Sequence, residues 1–237
     1  MNISSGVITV LLVAVIIIFI AVVAVYSISS TRRETKRRAD EAQGLGFQAL
    51  PREDYRALLQ KLAQVNPRLG KSYMELRNVF YKPSPEGRIF IYDLWNNGGE
   101  DSSSVQVQAI GMAVEGIEFP RFLITANLVG QSGILAGLAS KVITWVFQQS
   151  LPLVDFSDYP EFSQQVNVGC EDASAIRQLL TPDVMHRLMG NRDLFLAGCG
   201  DMLVYSPIFG ARLGNMEPAT LAHKLDSALS VMRILLD

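Results

Sequence analysis

The chain has 237 residues and a formal net charge of −2, enough for one domain with a separate anchor. Five of its 21 Lys/Arg but only one of its 23 Asp/Glu precede Asp40, so the remainder carries 16 basic and 22 acidic residues, a net of −6. The cations of that acidic remainder are scattered, with no stripe of them interleaved with aromatics, which excludes the nucleic-acid-binding class.

From Val7 to Tyr26 the chain reads VITVLLVAVIIIFIAVVAVY, twenty residues without a charge. As an α-helix this run spans about 30 Å, the thickness of a bilayer's hydrocarbon core. Its Val and Ile content is poor for a helix in water, but lipid forces the backbone to bond within the segment. A transmembrane helix is therefore expected over 7–27, after a short extracytoplasmic stretch, 1–6. The leading MNISSG holds no Lys or Arg and the apolar run is long for a secretory signal, which favours a retained anchor over a cleaved one. Arg32, Arg33, Lys36, Arg37 and Arg38 follow the run closely. By the positive-inside rule they keep the C-terminal part in the cytoplasm of a cell (inner) membrane protein. They are also the residues expected to meet anionic headgroups, each worth about 1 kcal/mol near the surface. Residues 28–46 read as a basic juxtamembrane linker and 47–237 as the cytoplasmic domain.

PREDYRALLQKLAQV opens with Pro51 and early acids, and Tyr55, Leu58, Leu59, Leu62 and Val65 form one apolar face, so a helix is predicted there with Pro51 at its first position. Short runs rich in Val, Ile and aromatics follow: YMELRNVFYK, RIFIYDLW, SVQVQAIGMAV and EFPRFLITA, parted by turn-forming PSPEG and NNGGEDSS. Consecutive strands joined so briefly predict an antiparallel meander. In LVGQSGILAGLASKVITWVFQQ, Ile134, Leu135, Leu138, Val142, Trp145 and Val146 share a helical face, as in a helix packed across a sheet. An interfacial or re-entrant helix over 131–147 is the alternative, and a second membrane span the least favoured one. QQVNVG then reads as a strand, EDASAIRQLL as a helix capped by Asp172, and TPDVMHRLM as a helix capped by Thr181 with Pro182 at its first position. LFLAG and DMLVYSP read as a hairpin about a Gly-Cys-Gly turn. EPATLAHKLDSALSVMRILL closes the chain as a helix with a Leu/Met stripe. The sum is an α+β domain with a largely antiparallel sheet of about six to seven strands and four to five packed helices.

VDFSDYPEFSQQ sets Asp155, Asp158 and Glu161 among Phe156, Tyr159, Phe162 and Pro160. Calcium loops of the linear type alternate oxygen ligands around a glycine, which this stretch lacks. Pro160 also interrupts any continuous helix that would align the carboxylates. The segment reads as a structural joint with aromatic anchors, in which Asp158 caps a turn and Ser163 bonds nearby backbone; an acidic binding patch is the lesser reading and a metal or catalytic site the least. His186 and His223 belong to no nucleophile or metal motif, and GCGD lacks the Gly-Lys-Ser/Thr of a phosphate loop. Cys170 and Cys199 match no zinc or redox spacing, so free thiols are expected. Asp93, inside an apolar strand, needs a partner if buried, either across the sheet or in Arg121. No cofactor is implied.

DFSDYPEFSQQVNVGCEDASAIRQLLTPDVMHRLM and LFLAGCGDMLVY resemble a widespread bacterial family of uncharacterised, usually membrane-anchored proteins. Its pattern is a D-x-D-F-x-x-x-P-E-F-S-like block, a strand, a glycine-acidic turn, a helix and a C-terminal Gly-x-Gly-Asp hairpin. RIFIYDLW and VQVQAIGMAVEGIEFPRFLI extend the resemblance upstream to about Leu45. Cys170 in the turn and the Asn96-Asn97-Gly98-Gly99 tip depart from it. The resemblance implies membrane anchoring and no particular reaction. The expected function is a single-pass membrane protein whose domain binds a protein partner or forms a homo-oligomer without catalysis. A lipid-associated sensor or enzyme at the bilayer face is the alternative.

Overall fold

The computed structural model describes residues 33, 35–67, 74–96, 105–127, 151–191, 194–206 and 220–237. The apolar run 7–27 and the helix expected over 131–147 lie outside the described residues. Among those described, no helix is long and apolar enough to cross a membrane.

The centre of the fold is one eight-stranded sheet in which every pairing is antiparallel. Its strands are β1 (Gln48–Ala49), β2 (Met74–Ser84), β3 (Gly87–Asn96), β4 (Val105–Val114), β5 (Phe119–Ala126), β6 (Val166–Cys170), β7 (Phe195–Gly200) and β8 (Met202–Tyr205). Their spatial order is β1-β2-β3-β4-β8-β7-β5-β6. The helices are α1 (35–44), α2 (Arg52–Val65), α3 (Pro160–Gln165), α4 (Ala173–Leu179), α5 (Pro182–Leu188) and α6 (Leu221–Ile234). The α+β class and the antiparallel sheet are as the sequence pattern predicts.

The details differ, beginning with the counts: eight strands and six described helices against about six to seven and four to five expected. The two-residue β1 has no sequence signal and exists because it pairs with Tyr81 and Phe80 of β2. The meander holds for β2-β3-β4 but β5 does not continue it. Residues 115–118 step across the ends of the β7–β8 hairpin, which occupies the place beside β4. The physical reason is burial: β8 is buried at all four positions and β7 at its first four, so the most apolar hairpin sits where both sheet faces are covered. Finally, Pro51 stands just before α2 rather than inside it, and residues 35–44, expected as linker, form a helix.

Alternation along the strands divides the core in two. Ile89, Ile91, Ile110, Met112, Phe122 and Ile124 point to one face, where Ala42, Phe47, Phe162, Ile176, Leu188, Leu225 and Met232 cover them. Phe90, Tyr92, Ala109, Leu123 and Met202 point to the other, against Leu58, Leu62 and Val65 of α2. Capping fixes the short helices. Asp172 accepts from the Ser174 and Ala175 amides at 2.9 and 3.0 Å, and Thr181 accepts from Val184 at 3.4 Å ahead of Pro182. Thr220 does the same for His223 at 3.3 Å, starting α6 a turn later than its proline.

Candidate functional site

Asp93 lies on the first of these faces, in line with Ile89 and Ile91, and is 1% exposed. A carboxylate so placed is costly unless both oxygens are bonded. The chain meets that demand from two directions. In β2 the register slips between Arg77 and Phe80, and at this bulge Asn78 takes φ +49°, alone among the described non-glycine residues in having a positive φ. Asparagine tolerates that conformation better than most residues. The bulge re-aims its side chain, and the Asn78 amide donates to Asp93 Oδ2 at 2.6 Å. From α1, the Arg38 guanidinium donates to Oδ1 in an ion pair whose side chains are 18% and 2% exposed.

The cluster extends over β4 and α6. Gln108 is the direct cross-strand neighbour of Asp93, and Lys224 donates to Gln108 Oε1 at 3.2 Å. Burial holds the Lys224 ammonium below its usual range; Arg38 pushes the same way, while Asp93 and Glu41 oppose it. Five elements, α1, β2, β3, β4 and α6, thus meet around one buried carboxylate and its neighbour Gln108. The sequence picked out Asp93 but not its partner: Arg121 instead bonds Glu171 at 2.6 Å. Of the five juxtamembrane cations, Arg33, Lys36 and Arg37 are exposed, Arg38 is drawn into the cluster, and Arg32 lies outside the described residues.

At the acidic stretch, Asp155 accepts from the Ser157 amide and hydroxyl, both at 2.9 Å. Asp155, not Asp158, therefore holds the turn. Pro160 is at the first position of α3 with Glu161 beside it, and Ser163 donates to the Pro160 carbonyl at 3.1 Å. Phe156 and Phe162 are buried and meet edge-on at 5.3 Å between centroids. Arg177 of α4 lies 4.9 Å over the Phe156 ring, bonds the Asp155 carbonyl and stands 3.9 Å from the exposed Asp158 carboxylate. The carboxylates face outward around an aromatic pair that fastens the segment to the sheet.

The other chemistry-bearing groups are apart. Cys170 and Gly198 flank Phe122 of β5 from opposite sides, and Cys199 faces the α2 side, so the two thiols do not meet. Burial pushes both thiols up from their ordinary range. His186 and His223 are exposed. The GCGD segment is a two-residue hairpin turn at Gly200–Asp201, where Gly200 takes φ +59° and Asp201 pairs with Lys61. Among the described residues, no group of three or more His, Cys, Asp or Glu is placed to hold a metal ion.

No family model, curated protein or solved structure matches the chain.

Proposed function

We propose that the protein is a single-pass membrane protein anchored through residues 7–27, with residues 47–237 forming a cytoplasmic, non-catalytic domain that binds a protein partner or assembles with copies of itself. One observation carries the reading. The basic segment behind the apolar run ends in α1, and α1 is pinned to the sheet by Arg38 and Asp93. An anchor fastened in this way joins a structured domain to the membrane as a unit, which suits a protein that presents a surface at a fixed place. The buried polar groups around Asp93 are engaged with one another, as in a fastening.

Purification of the full chain in mild detergent, with cross-linking before lysis, tests the role. A stoichiometric partner or a defined homo-oligomer is the expected product; a monomer free of cross-links removes the interaction reading. Protease added to sealed spheroplasts tests topology: a C-terminal tag should survive until the membrane is opened.

A further inference from the structure

We infer that the outer edge of the sheet at residues 152–154 is a docking site for an extended, basic segment of a protein partner, which adds to the sheet as a further strand. This rests on the protein-partner reading above and deepens it by naming the surface and the chemistry it takes.

The two edges of the sheet are built differently. An edge offers unpaired N–H and C=O groups, and proteins blunt it with very short strands, bulges and charge. The β2 edge has all three. β1 covers it with two residues at Tyr81 and Phe80, the bulge between Arg77 and Phe80 breaks its register, and the exposed Glu75 and Arg77 pair along it. Tyr55 of α2 also donates to the Leu76 carbonyl at 2.6 Å.

The opposite edge has none of these devices. Outside β6, Leu153 forms an antiparallel bridge with Gly169. The bonds of that bridge run through its neighbours: Val154 donates to the Val168 carbonyl at 2.9 Å, and Cys170 to the Pro152 carbonyl at 3.0 Å. The Leu153 N–H and C=O are thereby turned outward, and no described residue bonds either. Pro152 does not blunt this edge, because its nitrogen lies on the same side as its carbonyl and faces β6. The Leu153 side chain is 55% exposed, and opposite it stands a glycine with no side chain to shield it. A backbone donor, a backbone acceptor and an apolar side chain left open together are what strand addition uses.

Charge identifies the occupant. The edge runs directly into Asp155, Asp158 and Glu161, all exposed, and residues 151–165 contain no Lys or Arg. Arg177 of α4, 3.9 Å from Asp158, offsets one of the three carboxylates. A partner strand carrying Lys or Arg therefore meets complementary charge here. The same edge of a second copy brings three more carboxylates and no cation from 151–165, so charge disfavours an edge-to-edge homodimer.

The test uses the full chain in a non-ionic detergent and a fluorescent peptide of alternating valine and lysine, with binding followed by anisotropy. Two peptides control it: one of alternating valine and glutamate, and the valine–lysine peptide N-methylated throughout, which keeps its charge but cannot donate to the edge. Only the unmodified valine–lysine peptide should bind. Leu153→Pro removes the outward N–H and should abolish binding. Asp158→Asn with Glu161→Gln, at two exposed positions, should weaken it about threefold or more while leaving the thermal melt unchanged. Equal binding of the N-methylated peptide, or undiminished binding to Leu153→Pro, overturns strand addition. Equal binding of the glutamate peptide, or undiminished binding to the double variant, overturns the basic partner. A homodimer that dissociates in Leu153→Pro puts a second copy at the edge and overturns the occupant. No peptide binding, with a partner or oligomer still recovered by cross-linking, strikes this edge and leaves the interaction reading; absence of both removes the two together.

Discussion

Tyr92 and Asp93 are adjacent on β3 and point to opposite faces of the sheet, and their surroundings could hardly differ more. On the α2 face the Tyr92 hydroxyl is wholly buried and has no hydrogen-bond partner among the described residues; burial pushes its pKa far above the ordinary phenol range. On the other face Asp93 is equally buried, yet both oxygens are bonded. The contrast shows where the fold spends polar chemistry. One face is an apolar layer that tolerates a stray hydroxyl. The other has a bulge, a positive-φ asparagine and an arginine from outside the sheet gathered around one charge, and it is this face that holds the entering chain.

The largest effect should come from removing Arg38. Arg38→Met leaves Asp93 buried with only Asn78 as donor and is expected to cost about 3–5 kcal/mol, read as a fall in the urea midpoint. Arg38→Met with Asp93→Leu removes both charges and should recover most of that loss. A double variant as unstable as the single one would show that packing of α1, not the ion pair, makes this face special.

Glycine tests the faces separately. A Cβ on Gly198 would lie 2.4 and 2.7 Å from the Phe122 ring, a rigid neighbour, so Gly198→Ala should destabilise by about 1–3 kcal/mol. At Gly111 the nearest atom is the flexible end of Met202 at 2.5 Å, with Tyr92 at 3.3 Å; Gly111→Ala should cost less. Equal losses in thermal melts would mean the α2 face packs as rigidly as the other. Tyr92→Phe removes an unsatisfied buried group and should raise stability by about 1 kcal/mol. A loss would mean the hydroxyl has a partner that matters.

The smallest effect is in pH. Lys224 has its pKa lowered in the folded state, so the unfolded chain binds more protons than the native one through the interval from that lowered value to the ordinary 10.5. Stability contributed by this group therefore rises with pH across that interval and is lost as pH falls through the folded value. The wild type should gain on Lys224→Met between neutral pH and about pH 10, in paired denaturant titrations; parallel curves would place Lys224 in water.

Much of the fold was written in local pattern. β2, β3, β4 and β5 begin and end within two residues of their apolar runs, and Asp172 and Thr181 cap the helices their spacing marked. The site was only half legible. Asp93 announced itself as a carboxylate in an apolar strand, but Arg38 is 55 residues away in sequence and reads locally as one of five similar cations. β1 was invisible because two residues carry no period. LFLAG and DMLVYSP read as a hairpin but carried no sign of where it pairs, because its neighbours β4 and β5 are chosen between segments distant along the chain.

The amino-acid sequence by itself determined the apolar run at the start, the basic flank behind it, and the alternation that makes an antiparallel α+β domain, because each is a property of neighbours a few residues apart. Tertiary structure alone decided that the last hairpin enters the middle of the sheet and that one arginine of the basic flank leaves the others to neutralise Asp93. Those outcomes depend on burying the most apolar strands and pairing a charge removed from water, and both are settled only between segments distant along the chain.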